Sequence, residues 1–288
     1  MSVPFSPRNP VLGVSANTTF LTAQNDPSVH AYFPSSVVPC VRNVFTVVLE
    51  NQDYADVMAD PYMGTTLANK GYLMTNYYAN THPSQGNYIA MIAGSLFGVT
   101  DDSNVDLNGK NVADLLEAKG LTWKSYQEAY PGECFTGQIS GTYWRKHNPF
   151  ISFTSISKNA SRCANIVSSV QLDKDAVAGN LPNYIFYSPD INNDGHDTGL
   201  TVASNWLKAF LEPKLTDPAY ANTLFQVVFD ESQNNIPSQN RIYALLAGAG
   251  ITQQGARDNS SYTHYNLLAT LENVFSLGNL GQNDVAAA

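Results

Sequence analysis

Asn43-Val44-Phe45-Thr46-Val47-Val48-Leu49 is an unbroken β-branched and apolar run that stops abruptly at Glu50-Asn51-Gln52. A strand with one wet face alternates apolar and polar residues; a continuous run suits a strand buried on both faces, as in a parallel sheet. Further apolar runs follow at 73–78, 121–126, 184–187, 224–229 and 242–247. Between them, 65–70, 88–93, 112–119, 202–210 and 264–275 carry helical patterning. Strands alternating with helices predict an α/β fold, a three-layer α/β/α sandwich around a mainly parallel central sheet. At 288 residues, one domain is expected, with the Pro-, Ser-, Asn- and Thr-rich residues 1–40 as an irregular arm packed on it.

Composition narrows the function classes. The chain is 43% hydrophobic and 14% charged, which marks a folded protein and not a disordered one. A formal charge of −9 and only 15 scattered Lys and Arg residues argue against a nucleic-acid partner. No apolar run is long enough to span a membrane. Sequons begin at Asn17, Asn159 and Asn259, and no signal peptide follows Met1; a secreted protein met in its mature form is expected. Of the three cysteines, Cys134 and Cys163 lie in one loop-rich stretch and are the preferred pair, although pairings with Cys40 stay open. Their spacing does not suit a zinc cluster.

In a parallel α/β sheet, ligands bind beyond the carboxyl ends of the strands. Glu50 and Asn51 follow the first run, the stretch Ser188-Pro189-Asp190 through Asp194-Gly195-His196-Asp197 follows the fourth, and Asp230-Glu231-Ser232 follows the fifth. Neighbouring carboxylates repel, so gathering Glu50, Asp230 and Glu231 in one cleft calls for a cation. Oxygen ligands suit Mg²⁺, Ca²⁺, Mn²⁺ or Zn²⁺. The 190–197 loop has the composition of a calcium loop but neither its spacing nor its closing Glu.

His82-Pro83-Ser84-Gln85-Gly86-Asn87-Tyr88 places a serine at the entry to an apolar, helical run. Free N–H groups and the positive end of the dipole gather at a helix N-terminus, so Ser84 is either a simple cap or a nucleophile set beside a phosphate site. His82 is given a role in the turn and not as a base.

Taken in order, Glu50-Asn51, His82-Pro83-Ser84-x-x-Asn87-Tyr88, Trp123-x-x-Tyr126-x-Glu128, Lys146-His147-Asn148-Pro149, the 190–197 loop and Asp230-Glu231 resemble the phosphoesterase family of secreted acid phosphatases and bacterial phospholipases C. The resemblance covers roughly residues 40–275 and implies an alkaline phosphatase-like fold, a metal and a Ser or Thr nucleophile. It implies metal ligation by Glu50, Asn51, Ser84, Asp230 and Glu231, and phosphate contacts from Asn87, Lys146 and His147. His196 and His264 are the implied proton-transfer groups. Asn192 stands where the superfamily's second metal site has an Asp four residues before its His, so one divalent ion is expected, with a second held by Asp190 or Asp194 as the alternative. The Ser-Pro-Arg-type pattern of sulfatases is absent around Ser84. The expected activity is phosphomonoester hydrolysis of a small substrate through a phosphoserine on Ser84. The alternatives are a phosphodiesterase or phospholipase C, and a secreted metal-binding protein without catalysis.

Overall fold

The computed structural model describes residues 41–234 and 240–287. The arm expected over 1–40, with Asn17, His30 and Cys40, lies outside the described residues. The strands in chain order are β1 (Asn43–Leu49), β2 (Tyr72–Tyr78), β3 (Trp123–Gln127), β4 (Ile139–Ser140), β5 (Tyr143–Trp144), β6 (Ile166–Ser168), β7 (Tyr184–Ser188), β8 (Thr223–Phe229), β9 (Arg241–Gly248), β10 (Ala256–Asp258) and β11 (Tyr262–Thr263). All but the small β4–β5 pair join one sheet in the order β10-β2-β9-β8-β1-β7-β3-β6, with β11 also on β2.

β1 lies between β7 and β8, parallel to both, and β3 is parallel to β7 and β6. The sheet is thus mainly parallel, as its unbroken apolar runs predict. β9 is the exception, antiparallel to both β8 and β2. No helix intervenes between β8 and β9 among the described residues, and an antiparallel neighbour needs no crossover helix.

Alternate residues of β1 pack on opposite faces. Phe45 meets Phe225 of β8 and Phe210 of helix Leu200–Thr216 at ring-centroid distances of 5.3 and 6.0 Å. Thr46 turns the other way, its hydroxyl donating to Gln226 Oε1 at 2.7 Å. The Gln226 amide in turn donates to Leu267 O of helix His264–Phe275 at 3.3 Å. Helices therefore cover both faces of the sheet, and β1 is the centre of the core.

Helix starts follow local chemistry. Asn111 with Asp114, and Thr263 with Asn266, form reciprocal capping boxes that begin helices Val112–Ala118 and His264–Phe275. Where 65–70 reads as one helix, the chain forms a wider turn over Pro61–Leu67 that continues into Ala68–Lys70. Helix Leu200–Thr216 runs past the expected 202–210 and carries Pro213 in its last turn. Cys134 and Cys163 are disulfide-bonded, with Cα atoms 5.7 Å apart, which is the preferred pairing.

Candidate active site

Leu49 and Phe229 are register partners, so the chain leaves β1 and β8 side by side. Glu50-Asn51 and Asp230-Glu231 therefore meet as a consequence of strand pairing. Asp230 N–H donates to Leu49 O at 2.9 Å, and Asn51 N–H to Asp230 Oδ1 at 3.0 Å. The Asn51 amide reaches Glu231 Oε1 at 3.2 Å. Asn51 holds φ 41°, a left-handed conformation that Asn tolerates better than most residues and that turns the chain sharply off the strand.

The loop after β7 closes over the same tip: Glu50 N–H donates to Asp194 O at 2.9 Å. Gly195 has φ 105°, a conformation that favours Gly, and a Cβ there would be a tight 3.2 Å from Glu50 O.

Helix Ser84–Ala93 follows β2 and begins at Ser84 itself; Pro83 takes the cap position. Ser84 is thus the first helical residue and not the cap. A Cβ at Gly86 would lie 2.6 Å from Thr81 Cγ2, which accounts for Gly in the first turn under the 80–82 segment. Ser84 Oγ is buried 3.0 Å from Glu50 Oε2 and 3.2 Å from Glu231 Oε1, two acceptors for its single proton. It accepts from Lys146 Nζ at 3.2 Å.

Lys146 also pairs with Asp102 at 3.2 Å and lies 3.8 Å from Glu50. Burial works against its charge, but Glu50, Asp102 and Asp230 outweigh burial and raise its pKa, so the ammonium is held charged. His147 stands between two carboxylates, Nε2 at 3.1 Å from Glu50 Oε1 and Nδ1 at 3.4 Å from Asp194 Oδ2. Its ring stacks on Tyr88 at 5.3 Å, and burial lowers its pKa. Burial also opposes the charge of Glu50, yet His147 and Lys146 more than offset it and hold that carboxyl low. Asp230 and Glu231 move up, first through burial and then through the Glu50 charge, Glu231 to about 8. One of the three carboxylates holds its charge readily, and the other two need a further positive charge to do so.

The oxygens expected to ligate a cation bear directly on that need. Asn51 Oδ1 and Asp230 Oδ2 are buried without a hydrogen-bond partner. Glu50 Oε1 and Glu231 Oε2 also lack one, although each faces an imidazole, Glu231 Oε2 lying 2.5 Å from His82 Nδ1. A buried carboxylate oxygen left unpaired is costly, and an all-oxygen set suits a hard divalent ion. Among the described residues no three Asp, Glu, His or Cys side chains form a ready-made ligand cluster.

Three sequence assignments take different places. Asn87 is buried with its amide committed to the backbone: Oδ1 accepts from Asn80 N and Thr81 N at 2.9 and 3.1 Å, and Nδ2 donates to Thr81 O at 2.8 Å. It fastens the segment before Ser84. His264 is fully buried, its Nε2 donating to Asp230 O at 2.7 Å, and burial lowers its pKa to about 4. That imidazole is neutral and turned into the core, so it is a support for the Asp230 turn and not a proton donor to a leaving group. His196 is exposed and pairs with Asp197 at 2.6 Å; none of its hydrogen bonds reaches Ser84. Asp190 is engaged with Thr142 and the backbone of Asn192.

Two residues at the site went unassigned from sequence. Asp102 sits in a polar stretch with no periodicity or motif to mark it. His82 was given only a turn, and its contact with Glu231 depends on the segments that follow β2 and β8 meeting across β9.

A profile of the Phosphoesterase family matches residues 17–278. An acid phosphatase of Aspergillus fumigatus is 36% identical over 90% of this chain and 61% of its own length. A phosphatidylinositol-3-phosphatase of Mycobacterium tuberculosis is 30% identical over 86% of this chain and 81% of its own. The chain spans about three fifths of the length of the fungal and yeast acid phosphatases that it matches. In fold, a protein of the alkaline phosphatase superfamily from Vibrio parahaemolyticus superposes with a TM-score of 0.60 at 13% identity, over 88% of this chain and 72% of that one.

Proposed function

The chain belongs to the phosphoesterase family, and from that premise we propose that it is a secreted, metal-dependent phosphomonoesterase that works through a phosphoserine on Ser84. The observation that carries the reading is the buried Ser84 hydroxyl, with Glu50, Glu231 and Lys146 all within 3.2 Å of Oγ at a helix N-terminus. A serine needed only to begin a helix requires none of these partners.

Glu50, Asn51, Asp230 and Glu231, with Ser84 Oγ, are the residues that would hold one divalent ion. When bound, such an ion lowers the hydroxyl pKa and draws charge from the phosphoryl oxygens. Ser84 Oγ forms the new bond to phosphorus as the ester P–O bond breaks, its proton leaving towards the carboxylates it already faces and the departing alkoxide taking a proton from solvent. The Lys146 ammonium is positioned for the charge that gathers on the phosphoryl oxygens. Water then breaks the phosphoserine and returns a proton to Ser84. His147, between Glu50 and Asp194, keeps the first of these carboxylates aimed at Ser84.

The Cys134–Cys163 disulfide and the exposed sequon residues Asn159 and Asn259 support an oxidising, secretory setting. No helix among the described residues is long and apolar enough to cross a membrane.

p-Nitrophenyl phosphate tests the reading, because its leaving group is acidic enough to depart without a proton donor. Turnover by the wild-type chain with a divalent ion, and none by Ser84→Ala, is expected. Faster turnover of bis-p-nitrophenyl phosphate would replace the monoesterase reading by the diesterase one. No turnover of either ester by the metal-loaded wild type would contradict both.

A further inference from the structure

We infer that Asp102 is a positioning residue that holds the Lys146 ammonium against Ser84 Oγ. The inference rests on the phosphomonoesterase reading and assigns a role to a residue outside its catalytic set.

The two carboxylate oxygens of Asp102 do different things. Oδ1 accepts from the main-chain N–H of Gln85 at 2.9 Å, and Oδ2 accepts from Lys146 Nζ at 3.2 Å. The loop is fastened independently of that charge, because the Gln85 side chain donates to Ser103 O at 2.8 Å and to Asp101 O at 3.4 Å. The loop's place on helix Ser84–Ala93 is thus set by several neutral bonds, and the Asp102 charge is free to act on Lys146.

Lys146 needs such a partner. Its ammonium is carried on a long flexible stem, and confining it to one position costs rotamer freedom. Its side chain is 7% exposed, so water does little to hold it. Its polar neighbours are Ser84 Oγ and Asp102 Oδ2, each at 3.2 Å, and Glu50 Oε2 at 3.8 Å. Without Asp102 the remaining ion-pair partner of Lys146 among the described residues is Glu50 at 3.8 Å, which draws the ammonium towards the acidic cluster. Asp102 therefore balances that pull and holds Lys146 at Ser84 Oγ. It also sets a negative charge near an anionic substrate, which weakens ground-state binding. The two effects separate: loss of the charge lowers kcat and does not raise KM.

Asp102→Asn makes the test, since an amide oxygen still accepts from Gln85 N–H while the charge facing Lys146 disappears. Asp102→Ser serves the same purpose should that variant fail to fold. Both are compared with Asp102→Glu and the wild type in the metal-loaded chain, with p-nitrophenyl phosphate, and kcat is referred to folded protein measured by circular dichroism. Removing a charged hydrogen-bond partner predicts a loss of about tenfold in kcat, with KM unchanged or lower and with partial recovery in Asp102→Glu. A wild-type kcat in the uncharged variants, a rise in KM with kcat intact, or an Asp102→Glu variant no better than Asp102→Asn overturns the inference and leaves the phosphomonoesterase reading standing. A wild type that turns over no phosphomonoester overturns both.

Discussion

His264 Nε2 lies 2.7 Å from the main-chain oxygen of Asp230, which ties helix His264–Phe275 to the turn that presents the acidic pair. As donor to a carbonyl, Nε2 carries the proton, and the buried ring stays neutral at any pH well above its value of about 4.

That contact predicts a pH dependence of stability. The folded pKa of about 4 lies below the ordinary histidine value near 6.5, so the unfolded chain binds more protons between the two. The contribution is present in full above pH 6.5, is lost as pH falls towards 4, and changes no further below that. Its size is about 3 kcal/mol, from roughly 1.4 kcal/mol per pKa unit. Urea unfolding in EDTA from pH 7.5 to 4 measures it. His264→Gln, which cannot titrate, is expected to flatten that part of the profile; an unchanged slope would contradict the assignment.

Asn87→Ala separates a fastening role from a phosphate-binding one. The buried amide makes three hydrogen bonds to the segment before Ser84, and their loss is expected to cost about 2–4 kcal/mol of stability. Among molecules that remain folded, KM for p-nitrophenyl phosphate is expected to stay within about threefold of wild type. A stable variant with a strongly raised KM would return Asn87 to the phosphate.

Metal removal reads the acidic cluster. Wild-type protein is expected to hold one divalent ion by elemental analysis, to lose activity on dialysis against EDTA, and to regain it on adding an ion back. Because only the folded site binds, each tenfold excess of ion over its dissociation constant should add about 1.4 kcal/mol of stability. Asp230→Asn, which halves the charge of the adjacent pair, is expected to abolish that gain. A chain whose activity and melting temperature ignore EDTA would remove the metal from the account.

Reduction of Cys134–Cys163 is expected to cost about 3–4 kcal/mol, since the bond closes a loop with a sequence separation of 29. Denaturant midpoints with and without reductant, or of Cys134→Ser, measure it.

The fold was legible because it rests on periodicity. The runs in β1, β7 and β8 are too uniformly apolar to have a wet face, and that places them at the centre of a covered, mostly parallel sheet. The acidic half of the site followed from the same logic, since strand ends converge whatever their separation in sequence. What was not legible depends on side-chain direction. Ser84 and Asn87 share a helix face, yet nothing in their spacing says that the amide turns back to Asn80 and Thr81. His264 reads like any histidine at a helix start; only the packing of its helix under Asp230 shows that it is buried and neutral. Asp102 comes to Lys146 through a loop that no pattern predicts, so its contact appears only once the chain is folded.

The central claim is that Ser84 is the nucleophile, and acid quenching of the metal-loaded wild type during turnover of p-nitrophenyl phosphate tests it most directly. Peptide mass spectrometry is expected to find a phosphoryl group on Ser84 and on no other residue, and none in protein that has not met substrate. Full turnover with Ser84 unmodified, or undiminished turnover by Ser84→Ala, would contradict the account.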